Sequence, residues 1–337
     1  MLEEWEMPSP QFLLFYHIYE IVMYFLSVSL TVLAVVVMVK SKSRTLKSYK
    51  WFLLNSMIWG FFFDSIVTTI GAFALFPIPC YVGTGVASNL HGNWQVAYFF
   101  VGVNALIGKS IAVALQLARR YIYSLPYDSV IRRYFSGSTK YEIKLRLSAY
   151  IAVCFFVNVT LIYVFPNQTQ EKQYLLAADP SLATLFDNYP GMTCFSTGTN
   201  INFLLVPITI LYSAAIMLYL CLYMVYRNVH RNGTHSSTTK NLQIMLFNSL
   251  CAQTVIITIM AFVPAFFFFV LPLLGVRNMP VITACCFMVL LAHTPSDCIM
   301  VLLFIAPFRK YLIKKWQQLW HGKVQPSDLS RNSITIM

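Results

Sequence analysis

The chain has 337 residues, of which 58% are hydrophobic and only 11% are charged, whereas about a quarter of the residues of a soluble domain are charged. Its formal net charge of +12 would suit a nucleic-acid-binding protein, but the basic residues lie in short segments between long apolar runs, as expected of membrane topology signals. Composition therefore excludes a soluble globular protein and a nucleic-acid partner.

The apolar runs are long enough to cross a membrane, because about 20 residues of helix cross a hydrocarbon core of about 30 Å. The sequence predicts an all-α membrane protein, a seven-transmembrane helix bundle with spans at residues 18–39, 51–76, 95–119, 147–165, 201–226, 242–274 and 280–305. The acidic leader lacks the basic region of a secretory signal, so we expect the first span to be an uncleaved anchor. Residues 1–17 then form an extracellular tail, 18–305 the bundle, and 306–337 a cytosolic amphipathic helix and tail.

The distribution of basic residues predicts the orientation of the spans. Of the 24 lysine and arginine residues, 21 lie in the three loops and the tail on one side of the bundle, while the opposite side has only Lys172 and Arg277. Cytoplasmic loops are enriched in Lys and Arg. We therefore expect the amino terminus outside and the carboxyl terminus in the cytosol.

The long outer loop, residues 166–200, carries two further signals. Asn167 begins an Asn-Gln-Thr acceptor pattern for N-glycosylation on the predicted outside. Cys80 and Cys194 are the cysteines that face this oxidising side. A disulfide between them would tie the second outer loop to the top of span 2 or 3, as in many seven-span receptors; the alternative is two unpaired thiols. No cysteine or histidine group has metal-ligand spacing, and we expect no cofactor.

Polar side chains within the spans are functional candidates, because burying an ionisable group in hydrocarbon is costly. Asp64 lies roughly 20 Å and Lys109 roughly 15 Å from the inner surface, at about 1.5 Å of rise per residue. His293 and Asp297 share one face of span 7. The predicted polar core comprises Asn55, Asp64, Asn104, Lys109, His293 and Asp297. Either this core stores a resting state that ligand binding rearranges, or it only holds helices together.

Two other patterns allow both a functional and a structural interpretation. Arg119 and Arg120 end span 3 at the cytosol, where an arginine would contact a G protein, but topology alone also requires basic residues there. The run Phe266–Phe269 would suit a hydrophobic ligand pocket, or it is a packing or lipid-facing surface.

After span 7, apolar residues recur at near-helical spacing with lysines on the other faces. Phe308, Leu312, Trp316 and Trp320 define the apolar side. The pattern predicts a short helix lying on the inner leaflet, held by apolar burial and anionic lipid.

Several stretches together resemble the nematode serpentine receptors of class H and, less closely, their class I relatives. They are residues 48–55 running to Asp64, residues 165–168 with 172–174, residues 239–243 with Gln253 and Pro264, and His293 with Pro307-Phe308-Arg309. The resemblance implies a chemoreceptor of the plasma membrane, on sensory neuron cilia, that binds a small molecule and couples to a heterotrimeric G protein. The chain departs from the family pattern in having Leu117-Ala118 before Arg119, where a glutamate is common, and Phe308 in place of a tyrosine.

Other functions are disfavoured by what the spans lack. They contain no HExxH motif, no paired aspartates of an intramembrane protease and no nucleophile with a base at helical spacing, so an enzyme is not expected. Residues 280–305 contain no lysine for a retinal Schiff base. A transporter would show related halves, and a seven-span ligand-gated channel of the insect odorant-receptor type would have its amino terminus inside. The channel and the transporter are the alternatives to a receptor.

Overall fold

The computed structural model describes residues 7–41, 47–76, 78–86, 90, 93–125, 129–130, 132–133, 139–164, 167–189, 191–195, 205–231 and 237–320. Residues 1–6 of the expected extracellular tail and 321–337 of the expected cytosolic tail lie outside this part of the chain.

Long helices dominate the described residues, and we number the spans in chain order. Spans 1 to 4 are α1 (Pro10–Lys40), α2 (Lys47–Ile70), α3 (Asn93–Ser124) and α4 (Thr139–Val164). Two short helices, α5 (Gln168–Ala178) and α6 (Leu182–Asn188), precede span 5, which is α7 (Leu205–Arg231). Span 6 comprises α8 (Ser237–Ile257), a π-helical turn (Thr258–Phe262) and α9 (Val263–Leu273). Span 7 comprises α10 (Met279–Leu291) and α11 (His293–Phe304), followed by α12 (Ala306–Trp320).

The helices have the length and surface of membrane spans. Among the described residues, 6 helices are long and apolar enough to cross a bilayer, and span 4 contributes a shorter apolar stretch, Leu147–Ile162. Large apolar side chains point outward from the bundle, including Val39 (73% exposed) and Phe155 (72% exposed). Such surfaces suit lipid, since hydrocarbon solvates them and helices satisfy their own backbone hydrogen bonds.

A small sheet on the predicted outer side corrects the all-α expectation. Strands β1 (Ala72–Ala74), β2 (Cys80–Gly83) and β3 (Thr193–Cys194) form an antiparallel sheet in the order β1-β2-β3. Span 2 was predicted to reach residue 76, but α2 ends at Ile70 because Gly71 adopts φ +58°, a left-handed conformation that favours glycine and commonly ends helices. The chain therefore leaves the membrane helix six residues earlier than hydropathy suggests.

Spans 6 and 7 are interrupted where proline removes a backbone donor. In span 6 the Val263 N–H donates to the Thr258 carbonyl, closing a π turn directly before Pro264. In span 7 the helix breaks at Ala292, three residues before Pro295. Proline has no N–H and its ring clashes with the carbonyl four residues earlier, and π turns often mark functional positions. Both breaks lie within the predicted spans.

Spans 2 and 3 form the closest helix pair of the bundle. Gly108 lies against the indole ring of Trp59. A Cβ atom at Gly108 would lie 2.6 Å from Cε2 of Trp59 and nearer still to Cδ2 and Cε3 of the same ring. A Cβ atom at Gly102 would lie 3.1 Å from Cγ2 of Ile66, so Gly102 also lets the two helices approach closely. Small residues let helix backbones approach closely in membranes, so these glycines determine how near Lys109 comes to span 2.

We predict that Gly108→Ala separates spans 2 and 3, because the added methyl group has no room beside Trp59. Overpacking of this kind costs about 1–3 kcal/mol. The midpoint of thermal unfolding of the purified protein should fall, whereas the matched control Ser110→Ala, at an exposed position two residues later, should leave it unchanged. Equal midpoints for the two variants would contradict the assigned packing.

Candidate functional site

A buried polar network surrounds Lys109 in the middle of span 3. Its ammonium group donates to Nδ1 of His293 at 2.6 Å and to Oγ1 of Thr294 at 3.0 Å. All three side chains are at most 7% exposed. Within the described part of the chain, Lys109 makes no direct hydrogen bond to Asp64 or Asp297, although both carboxyl groups lie near enough to act on it electrostatically.

Thr294 connects Lys109 to span 2. Its hydroxyl accepts from Lys109 and donates to Oδ1 of Asp64 at 3.1 Å, while the Ser27 hydroxyl of span 1 donates to Oδ2 of Asp64 at 2.5 Å. Asp64 is only 1% exposed. One chain of hydrogen bonds thus links spans 1, 2, 3 and 7 at mid-depth.

Asp297 extends the polar core to span 6. The side-chain amide of Gln253 donates to Oδ1 of Asp297 at 2.9 Å, and both residues are buried. Asp297 lies one helical turn after His293, on the same face of span 7, so this face contacts both Lys109, through His293, and span 6, through Asp297. The polar core therefore involves five of the seven spans.

Backbone geometry places these groups where they meet. His293 and Thr294 follow the break at Ala292 and begin α11, so Pro295 positions both partners of Lys109. Gly60 in span 2 leaves space for them, since a Cβ there would lie 3.2 Å from Oγ1 of Thr294 and 3.3 Å from Nζ of Lys109.

Two predicted members of the polar core lie elsewhere. Asn104 forms a reciprocal pair with Asn158 of span 4, at 3.0 Å in one direction and 2.9 Å in the other. This pair joins spans 3 and 4, away from Lys109. Asn55 is exposed on the surface of span 2, so the structure does not bring it into the core.

The two arginines at the predicted cytosolic end of span 3 lie on aromatic rings. The Arg120 guanidinium carbon is 3.6 Å from the centre of the Tyr49 ring, a cation–π geometry, and its Nε and Nη2 atoms are buried without a hydrogen-bond acceptor in the described part of the chain. Arg119 instead donates to the Tyr123 hydroxyl at 2.8 Å and lies 5.1 Å from the Phe52 ring centre.

A groove of about 340 Å³ opens near the same end, between α8 and the junction of α11 with α12. Its lining is Ile244, Met245, Asn248, Phe304 and Arg309. The α12 helix then runs from Ala306 to Trp320 with Phe308 fully buried, whereas Trp316 and Trp320 are 65% and 70% exposed and stack on each other.

The outer cap, which we define as β1–β3 with α5 and α6, covers the opposite end of the bundle. Cys80 and Cys194 face each other as register partners in β2 and β3 and are joined by a disulfide in the structure. The Gln168 side chain forms two hydrogen bonds with the backbone of Cys194, donating to its carbonyl at 2.9 Å and accepting from its N–H at 2.7 Å. Thr283 of span 7 bonds both backbone groups of Ala74. The cap is thus attached to the bundle through specific polar contacts.

Tyr81 of the cap is buried, whereas Asn167, directly before α5, is exposed. Tyr81 is 4% exposed, and burial raises its pKa to about 12, so its hydroxyl keeps its proton and donates to the Gln95 carbonyl at 3.4 Å. Asn167 is exposed and caps α5 by accepting from the Thr169 N–H at 3.0 Å. Asn167 is therefore accessible on the surface of the cap.

The run Phe266–Phe269 packs against neighbouring rings. Phe268 lies 5.9 Å from Phe76 of the hairpin and 5.7 Å from Phe287 of span 7, and Phe266 lies 6.0 Å from Tyr212 of span 5, all between ring centres. These edge-on contacts favour the packing interpretation over a ligand pocket.

Comparison with known proteins identifies the architecture. The model of the serpentine type 7TM GPCR chemoreceptor family Srh matches residues 9–318, which is nearly the whole chain. The chain belongs to this family. The match confirms the class H resemblance of its motifs and a seven-transmembrane chemoreceptor fold. No curated protein sequence matches the chain.

The interior of this serpentine receptor contains buried polar residues, inside and outside the Lys109 core, that the sequence interpretation missed. Ser27 and Thr294 gave no signal, because a hydroxyl within an apolar helix usually bonds its own backbone. Glu20 did give one: it is an acidic residue inside the first apolar run, and it is fully buried.

We predict that Thr294→Val weakens the core, because valine keeps the shape of threonine but cannot join Lys109 to Asp64. The loss should be about 1–2 kcal/mol of unfolding free energy, seen as a lower thermal midpoint. Thr160→Val is the matched control, since the exposed Thr160 hydroxyl bonds only the Phe156 carbonyl of its own helix among the described residues. A midpoint as high as that of the control would contradict the central role of Thr294.

Proposed function

We propose that this chain is a chemosensory receptor that binds a small molecule outside or within the bundle and activates a heterotrimeric G protein. It acts at the plasma membrane, in the sensory cilium that the family resemblance implies. The observation that carries the proposal is the Lys109 core: five spans meet through hydrogen bonds that have alternative partners close by.

The carboxyl groups of Asp64 and Asp297 both interact electrostatically with the ammonium group of Lys109, and neither contacts it directly in the described part of the chain. A small shift of span 7 relative to span 3 replaces Thr294 or His293 with another partner of Lys109. Packed polar cores change between discrete arrangements rather than by continuous deformation. A ligand that binds one arrangement better shifts the population toward it.

The predicted cytosolic end of span 3 supports the proposed coupling to a G protein. Arg120 keeps two buried N–H-bearing nitrogens without acceptors while it lies on Tyr49. Movement of span 3 away from span 2 frees the guanidinium to donate to backbone carbonyls of a bound G protein. Arg119, held by Tyr123, contributes positive charge at the same surface.

The deciding experiment is a ligand screen with a G-protein activation readout, in cells where surface expression of the receptor has been verified. Activation by members of a panel of volatile and polar small molecules supports the proposal. Ligand-evoked ionic current without nucleotide exchange would instead favour the channel alternative.

We predict that the amino terminus lies outside the cell and the carboxyl terminus inside. An epitope tag at the amino terminus should be stained on intact cells, and one at the carboxyl terminus only after permeabilisation, because 21 of 24 basic residues lie on the predicted inner side. Both tags in the same compartment would rule out the receptor proposal.

Glycosylation gives a second measure of the same orientation. Thr169→Ala removes the acceptor pattern but keeps the Asn167 side chain as the cap of α5, so a glycosidase-sensitive band present in the wild type should be absent in this variant.

We predict that Arg120→Gln reduces ligand-stimulated G-protein activation at unchanged surface expression, because glutamine cannot supply the positive charge or the fork of donors. Arg277→Gln, on the predicted outer side, is the matched control and should retain the full response. If Arg120→Gln signals like the wild type, Arg120 does not contact the G protein.

A further inference from the structure

Glu20 in span 1 is a buried acidic side chain that belongs to neither the Lys109 core nor the cytosolic end. It is 0% exposed, and neither of its carboxyl oxygens has a hydrogen-bond partner among the described residues. A buried charge without a partner is strongly destabilising, and an ionisable residue within a span is a candidate functional site. A positive ligand must therefore compensate Glu20.

Two hydroxyl groups near Glu20 donate to backbone carbonyls, and the space beside the carboxyl group is small. The hydroxyl of Tyr16, one helical turn earlier, donates to the Ala72 carbonyl at 3.1 Å, and the Thr84 hydroxyl donates to the Gly71 carbonyl at 3.0 Å. A Cβ at Gly71 would lie only 2.8 Å from Oε2 of Glu20. Packing this close excludes an organic cation and leaves room for the smallest positive ligand, a proton.

His17 connects this carboxyl group to the outer surface. Its Nδ1 atom lies 4.0 Å from Oε2 of Glu20, its side chain is 37% exposed, and Nδ1 has no hydrogen-bond partner among the described residues. A proton on the carboxyl group removes its uncompensated charge and gives it an O–H donor that faces Nδ1 of His17.

The other titratable groups nearby do not substitute for that proton. Within the described part of the chain they are the Tyr16 hydroxyl, which donates to the Ala72 carbonyl and also lies close enough to interact with the Glu20 carboxyl group, and the Cys285 thiol of span 7, which acts on Tyr16. Neither supplies positive charge.

We propose that Glu20 and His17 form a proton-binding site at the outer end of span 1. A proton from the external medium binds the Glu20 carboxyl group, which Nδ1 of His17 faces, and is released when the medium becomes alkaline. Because Gly71 joins span 2 to β1 and touches Glu20, neutralising the carboxyl group tightens the contact between span 1 and the outer cap. External acidity thus stabilises the capped form of the receptor. The site does not depend on G-protein coupling.

The test uses the full-length receptor purified into lipid nanodiscs. Infrared difference spectra between pH 8 and pH 5 should show a protonated carboxyl band that is missing in Glu20→Gln. The thermal unfolding midpoint of the wild type should rise as the pH falls over this range, and that rise should be smaller in Glu20→Gln. Glu171→Gln, which alters a buried glutamate of the cap, should keep the wild-type band and slope.

His17→Ala, at a partly exposed position, serves as a second variant should Glu20→Gln fail to fold. It should shift the pH at which the carboxyl band appears, and an unchanged midpoint would overturn the two-residue site. A band that persists in Glu20→Gln would overturn the proposal, as would equal stabilisation by sodium chloride at constant pH. A receptor that titrates as described but never activates a G protein would refute the proposed function and leave the proton site intact.

Discussion

Hydrocarbon offers no hydrogen bonds, so a lysine in the middle of a span must find every partner among its neighbours. Lys109 does so through His293 and Thr294, and both are available because span 7 breaks at Ala292. The break in turn reflects Pro295, which cannot donate to the carbonyl four residues earlier. The need for hydrogen-bond partners around one ammonium group thus accounts for the interruption of span 7 and for the glycine at position 60. It also accounts for the buried hydroxyl of Ser27, which joins the same network through Asp64.

The outer cap and the core constrain the bundle at different depths. The cap is held by a disulfide, by the two hydrogen bonds of Gln168 and by Thr283, whose contacts involve backbone groups. The core instead uses side chains that have several acceptors within reach. The cap is therefore the stiffer of the two and the core the more adjustable, which suits the proposed receptor function.

Much of this architecture could be predicted from the sequence, because span length and hydropathy are properties of the chain itself. Lys109, Asp64, His293 and Asp297 were recognisable as costly groups in apolar runs. Their connection through Thr294 was not, since a threonine in a membrane helix looks the same whether it bonds its own backbone or another helix. The sheet was also missed: β1 consists of apolar residues that continue the hydropathy of span 2, and only the left-handed Gly71 separates them. Glu20 carried a clear signal in the sequence and was overlooked.

The arginine-bearing end of span 3 connects with the Lys109 core through packing against span 2. Gly108, next to Lys109, fixes the distance between spans 2 and 3 at Trp59, and Tyr49 and Phe52 of span 2 contact the two arginines below. The buried Gln116 lies between these levels, accepting from the Tyr49 hydroxyl at 3.5 Å and donating to the Phe52 carbonyl at 3.3 Å. Any rearrangement that changes the spacing of spans 2 and 3 at Lys109 must therefore also change the aromatic surface on which Arg120 lies. That mechanical connection gives the proposed activation a physical route from mid-membrane to the arginine-bearing end of span 3, without any contact between a ligand and the arginines.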